Sequence, residues 1–168
     1  MSSNDSNTIH TLSVYVANKP GVLARIAQVF ARRGFNIESL VVSPAIDGKF
    51  SRMTIGVSGN PDMLDQIIKQ VSKLIDVLTC TDHSADEAVI RELALVKIRC
   101  GADRRSEALQ VVEHFTCKTV DLTESSMIIM ATGASDKVDA FINMIKMFDV
   151  VELVRTGKVL MVRGEQPT

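Results

Sequence analysis

The strongest constraint on this chain is an internal duplication: one order of hydrophobic periodicities runs through it twice. In the first pass, Leu12, Val14 and Val16 alternate with Thr11, Ser13 and Tyr15, which predicts a half-buried strand. Asn18-Lys19-Pro20-Gly21 breaks it. Val22, Leu23, Ile26, Ala27, Val29 and Phe30 follow at helical spacing, backed by Arg25, Gln28, Arg32 and Arg33. Gly34 suits the left-handed position that ends a helix, and Arg32 and Arg33 complement the negative end of its dipole. A second strand runs through Ile37, Leu40 and Val42, and Asp47-Gly48 marks a hairpin turn. A third strand sets Met53, Ile55 and Val57 on one face. Asn60-Pro61 opens a second helix striped by Leu64, Ile67, Ile68 and Val71. Residues 77–81 read as a fourth strand, so the order is βαββαβ.

The second pass repeats it. Ala94, Val96 and Ile98 lie in a strand, and Ala108, Val111, Val112 and Phe115 form a helical stripe. Residues 118–122 and 127–131 read as a strand pair around Thr123-Glu124-Ser125. Ser135 and Asp136 can cap a helix striped by Val138, Phe141, Ile142 and Ile145. Residues 150–154 make a last strand, and residues 159–162 an extra one. A repeat of about 80 residues is too long for a solenoid. The expected fold class is therefore α+β, an α/β sandwich of two ferredoxin-like βαββαβ units, each an antiparallel sheet with helices on one face. The expected bounds are a polar, flexible tail at residues 1–8, a first domain at 9–83, a linker at 84–90 and a second domain at 91–168.

Composition narrows the function. Nineteen Lys and Arg face twenty Asp and Glu, a net charge of −1, which argues against a nucleic-acid partner. Only 4% of residues are aromatic, with no Trp and one Tyr, so a base-stacking surface is not expected either. The charge is split: residues 1–81 are net +2 and residues 82–168 net −3, a mild specialisation or an accident of sequence. Every apolar run breaks well short of the roughly 18 residues a membrane span needs. The polar start shows neither a signal nor a transit pattern, so a cytoplasmic chain without membrane contact is expected.

Catalytic and metal-binding patterns are missing. Cys80, Cys100 and Cys117 are widely spaced, with no CxxC pair, and read as free, mostly buried thiols in a reducing compartment. His10, His83 and His114 are isolated, without the spacing that puts two ligands on one helix face. There is no phosphate-cradling Gly-rich loop and no GxSxG elbow. The acidic cluster Asp82, Asp86 and Glu87 falls in or beside the expected linker. No catalytic, metal or cofactor site is therefore expected in this chain.

The informative segment is Asn18-Lys19-Pro20-Gly21-Val22-Leu23, which joins the first strand to the first helix. A helix N-terminus presents free N–H groups and the positive end of a dipole, so it can hold a carboxylate. Gly21 admits a close ligand, and the Asn18 amide can cap the helix or meet a ligand's polar atoms. Asn36, in Gly34-Phe35-Asn36-Ile37, supplies a second amide. On the residues alone, an ordinary turn before a helix explains the segment better than a ligand does.

The runs 18–26 (NKPGVLARI), 33–40 (RGFNIESL) and 51–55 (SRMTI) resemble an ACT domain, and more narrowly the regulatory small subunits of acetolactate synthase (acetohydroxyacid synthase). Arg91-Glu92-Leu93-Ala94-Leu95-Val96-Lys97 and Val154-Arg155-Thr156-Gly157 resemble that family's second domain, so the likeness spans about residues 9–164. It implies a non-catalytic subunit that binds the catalytic large subunit, raises its activity and confers feedback inhibition by branched-chain amino acids, usually valine, with leucine or isoleucine as alternatives. Thiamine diphosphate, FAD and Mg2+ are then expected on the large subunit and none in this chain. The resemblance also implies a homodimer through ACT domains, with effector sites at the interface. By matching motif, Asn18, Gly21, Val22 and Leu23 come from one chain, and Asn36 and Ile37 from the other. Val22, Leu23 and Ile37 would line a pocket for an isopropyl group.

One departure is plain: the family's second domain usually carries an Arg-Gly pair where this chain has Phe115-Thr116-Cys117-Lys118, so an altered turn is expected there. Met127, Met130, Met144, Met147 and Met161 either fill core gaps or form an adaptable docking surface. Two other readings remain. A free-standing ACT sensor for another enzyme would not need to match this family in its second domain. A small phosphotransfer or acylphosphatase-like enzyme would need a phosphate cradle with a fixed Arg.

Overall fold

The computed structural model describes residues 8–85 and 87–168. The tail expected at residues 1–8 lies, Thr8 apart, outside the described residues, as does Asp86 of the expected linker.

The first unit runs β1 (Ile9–Ala17), α1 (Val22–Arg32), β2 (Asn36–Pro44), β3 (Phe50–Ser58), α2 (Leu64–Ser72) and β4 (Val77–Asp82). Its antiparallel sheet has the order β2-β3-β1-β4. Because strand side chains alternate, the register Leu12↔Ile55 and Val14↔Met53 sets those four residues on one face. Val22, Ile26 and Phe30 of α1 and Leu64, Ile67 and Val71 of α2 cover that face and close the core. The second helix starts later than its Asn60-Pro61 signal. Asn60 Oδ1 accepts from the Asp62 N–H at 3.0 Å, which holds Pro61–Met63 as one 3-10 turn before α2.

The second unit runs β5 (Ala88–Arg99), α3 (Arg105–His114), β6 (Lys118–Leu122), β7 (Ser126–Gly133), α4 (Ser135–Ile145) and β8 (Asp149–Arg155), in sheet order β6-β7-β5-β8. Position for position, this is the first topology again. Ala94, Val96 and Ile98 pair with Ala131, Ile129 and Met127. Ala108 and Val112 of α3 and Val138, Phe141 and Ile145 of α4 pack on them. Met127 fills this core, whereas Met144, Met147 and Met161 are exposed.

The expected cap of α4 does not form. Ala134 is its N-cap, and no side chain caps it. The Ser135 hydroxyl instead donates to buried Glu92 at 2.5 Å, whose other oxygen accepts from Arg155 Nε at 2.6 Å. Arg155 also reaches Asp139 at 2.5 Å, so one carboxylate ties the start of α4 to the end of β8.

The two helix ends that precede β2 and β6 share one hydrogen-bond motif. In the first, Phe35 N–H bonds the Phe30 carbonyl and Gly34 N–H the Ala31 carbonyl. In the second, Cys117 N–H bonds the Val112 carbonyl and Thr116 N–H the Glu113 carbonyl. Both are Schellman ends. Gly34 has φ 71°, and Thr116 has φ 54° without being glycine. The altered turn expected at Thr116-Cys117 is therefore the same turn with a β-branched residue in the left-handed position.

The chain divides into two compact units, residues 90–156 forming one. The other holds the described residues of 8–89 together with Gly157–Thr168, including β9 (Val159–Val162), which pairs with β5. Residues 157–168, which the repeat assigns to the second domain, thus return to the first unit and lie against the sheet face turned away from its helices. A Cβ built on Gly157 would stand 3.1 Å from the Leu40 nitrogen and 3.2 Å from Ser39 Cβ. Leu160 is buried, and Arg52 of β3 donates to the Thr168 carbonyl.

Candidate functional site

Loop 18–23 opens where β1 leaves the sheet. Its first residues are anchored by the backbone: Ala17 N–H bonds the Asp76 carbonyl at 2.8 Å, and Asn18 N–H the Lys49 carbonyl at 2.9 Å. The Asn18 amide does not cap α1. Its Nδ2 donates to the Gly48 carbonyl at 3.0 Å and ties the loop to the β2–β3 turn. Gly21 is the N-cap, in the left-handed conformation at φ 83°, and no side chain caps the helix. Among the described residues, the first-turn N–H groups of α1 have no side-chain acceptor, and the positive end of the helix dipole faces the loop.

The apolar members of the expected site divide. Val22 is 3% exposed and turned into the core, because it begins the α1 stripe. Leu23 is on the surface, 39% exposed, and Ile37 is half-buried. Asn36 donates to Glu38 Oε1 at 2.7 Å. The Ser58 hydroxyl, which also reaches that oxygen, and then the Asn36 amide hold the Glu38 carboxyl below the usual carboxylate range.

One chain does not bring these residues together. Asn36 pairs with Ser58, which is level with Ile9, at the start of β1. Loop 18–23 follows Ala17, which is level with Phe50, at the other end. Eight strand steps separate the two ends, roughly 27 Å at about 3.4 Å per residue.

Two residues that the sequence reading missed complete the loop. Asp76, between α2 and β4, has a side chain 13% exposed and pairs with Lys19 at 3.5 Å and with Arg25. Arg25 reads as one more polar helix residue, and nothing in the local pattern marks Asp76, which lies 51 positions away. A separate cavity of about 380 Å³ opens at the start of α4, lined by Arg91, Thr132, Gly133, Ala134 and Lys137. Lys137 Nζ is engaged there by the Thr132 carbonyl at 3.1 Å.

Among the described residues, no group of three or more His, Cys, Asp or Glu could hold a metal ion. Cys100 is buried and Cys80 and Cys117 are half-buried. Burial, and then Asp82, push the Cys80 thiol up to about 12, far from a thiolate at neutral pH. No helix among the described residues is long and apolar enough to cross a membrane.

Comparison with known proteins gives a consistent picture. A family model described as the small subunit of acetolactate synthase matches residues 91–164, and an AHAS small subunit-like ACT domain matches residues 12–79. A probable acetolactate synthase small subunit of Archaeoglobus fulgidus is 45% identical over 157 residues, covering 94% of this chain and 98% of its own. An acetolactate synthase small subunit of Mycobacterium leprae is 44% identical over 155 residues, covering 92% of each. The crystal structure of the acetolactate synthase small subunit from Thermotoga maritima matches with a TM-score of 0.83 at 41% identity, over 95% of this chain and 99% of that one.

Proposed function

This chain belongs to the family of acetolactate synthase small subunits, and on that premise we propose that it binds the catalytic large subunit, raises its activity and makes it sensitive to valine. In this reading thiamine diphosphate, FAD and Mg2+ belong to the large subunit.

The observation that supports the reading is that the residues assigned to the effector site lie at opposite ends of the first sheet, where a second copy would reunite them. β2 is an outer strand of its sheet. Two β2 strands paired antiparallel about a two-fold axis would set the Asn36 end of one against the Pro44 end of the other. Pro44 pairs with Ser51, which is level with Val16 beside loop 18–23. A second copy's Asn36 and Ile37 then approach the loop. There the α1 N-terminus receives the effector carboxylate, the two amides order its polar groups, and Leu23 and Ile37 flank its side chain. Val22 contributes its N–H rather than its buried side chain.

Discrimination among valine, leucine and isoleucine is modest, because one methylene in an apolar pocket is worth about 1–3 kcal/mol. For valine to inhibit, it must bind one state of the complex better than another. The test is to mix the chain with the large subunit: acetolactate formation should rise, and valine should depress it. No rise would sink the regulatory reading. Asn18→Ala and Gly21→Asp should each abolish valine inhibition and keep activation. Full inhibition in both variants would instead remove the site from this loop.

A further inference from the structure

We infer that residues 157–168 are the element through which the first unit signals to the second, with Gly157 as its pivot; this rests on the regulatory reading above. The chain passes between the units twice, at Val89–Ile90 and at Thr156–Gly157. At the second crossing both neighbours are held. Thr156 is clasped by Leu93 of β5: its N–H donates to the Leu93 carbonyl at 2.9 Å, and its hydroxyl accepts from the Leu93 N–H at 3.0 Å. Gly157, the next residue, rests on β2. A Cβ there would stand 3.1 Å from the Leu40 nitrogen and from Val41 Cγ2, and 3.2 Å from Ser39 Cβ, so glycine permits an approach that a side chain would obstruct. Consecutive Cα atoms are about 3.8 Å apart, which leaves no slack between the two attachments.

The far end of the segment is held as well. Arg52 of β3 donates to the Thr168 carbonyl, and its guanidinium stands 5.2 Å from the ring centre of Tyr15 in β1. Thr168 Oγ1 accepts from the Val162 N–H at 3.0 Å, and Leu160 is buried. Leu40 packs on the core, so Ser39 and Val41 point to the opposite face of the sheet, as Arg52 and Tyr15 do. The segment therefore crosses that face from β2 to β3. In the reading above, β2 carries Asn36 and Ile37 and meets the second copy. A ligand that binds two arrangements of β2 unequally biases the seat of Gly157. Close-packed contacts switch between discrete arrangements rather than deform gradually, so Thr156 moves with Gly157.

Two measurements on each variant test this. One is calorimetric titration of the full chain with valine; the other is valine inhibition of acetolactate formation by the complex with the large subunit. Gly157→Ala should keep activation and hold valine affinity within about twofold, yet raise the valine concentration for half-inhibition about tenfold. Arg52→Gln frees the far end without crowding β2 and should shift half-inhibition roughly threefold in the same direction. Melting temperatures check that the variants fold, and Arg52→Gln decides if Gly157→Ala does not. Wild-type valine dependence of inhibition in the folded variants overturns the inference. So does a loss of inhibition matched by an equal loss of valine affinity, because the segment would then act on binding and not on signalling. A wild-type complex that valine does not inhibit overturns the regulatory reading itself, and this inference with it.

Discussion

The two halves of this chain solve one folding problem and differ where that problem sets no terms. On the helix side they agree: each sheet sets alternate apolar residues of its two central strands under two helices, and Phe30 and Phe141 are wholly buried there. On the other side they diverge. In the first sheet Thr11, Ser13 and Thr54 are polar yet at most 6% exposed, beneath a face against which residues 157–168 lie. In the second, Leu95 and Val154 are apolar yet 37% and 56% exposed, level with one another and with half-buried Met130. Cross-strand pairs Lys97–Glu152 and Arg99–Asp149 continue that face. The fold demands one apolar face per sheet, so the other is free to specialise.

Variants at matched positions break or sharpen this comparison. The largest effect belongs to the shared face. Phe30→Ala and Phe141→Ala should each cost about 3–5 kcal/mol in urea unfolding, through lost burial and the cavity left behind. A cost below about 1 kcal/mol in either would mean that the two cores are not equivalent. Next come the two helix ends. Thr116→Gly should stabilise the second unit by about 1 kcal/mol, because a β-branched residue pays for the left-handed conformation and glycine does not. Gly34→Thr should do the reverse in the first unit, where a Cβ would meet nothing within 4 Å and only the backbone torsion is strained. Equal melting temperatures for all of these proteins would show that the shared Schellman geometry carries no strain. The smallest effect concerns the open face. Leu95→Ser should change stability by less than about 0.5 kcal/mol, as for other exposed positions. A loss above about 2 kcal/mol would show that this face is packed rather than open.

Most of the fold was legible in the sequence, because strand and helix periods are local and the same buried positions recur at each. What was not legible depended on partners distant in the chain. Asn18 and Ser135 are residue types that cap helices, but a carbonyl at Gly48 and a carboxylate at Glu92 claim them first. Asp76 carries no local pattern that links it to Arg25. The Thr116 turn departed from the family's Arg-Gly pattern yet keeps the geometry of the first unit's helix end, since the hydrogen bonds of a helix end outweigh the torsional cost of one residue. In loop 18–23, the helical stripe foretold the burial of Val22, which a motif match alone does not convey.

The return of residues 157–168 to the first unit has a consequence for the order of events in synthesis. Residues 90–156 form a contiguous unit and can close as soon as they have emerged. The first unit, although begun earlier, lacks its contacts with Gly157 and Thr168 until those residues are made. Its closing contacts, such as Arg52 to Thr168 at a separation of 116 residues, are among the most distant in the chain and carry a large loop-closure cost. The half that starts first is thus the half that finishes last.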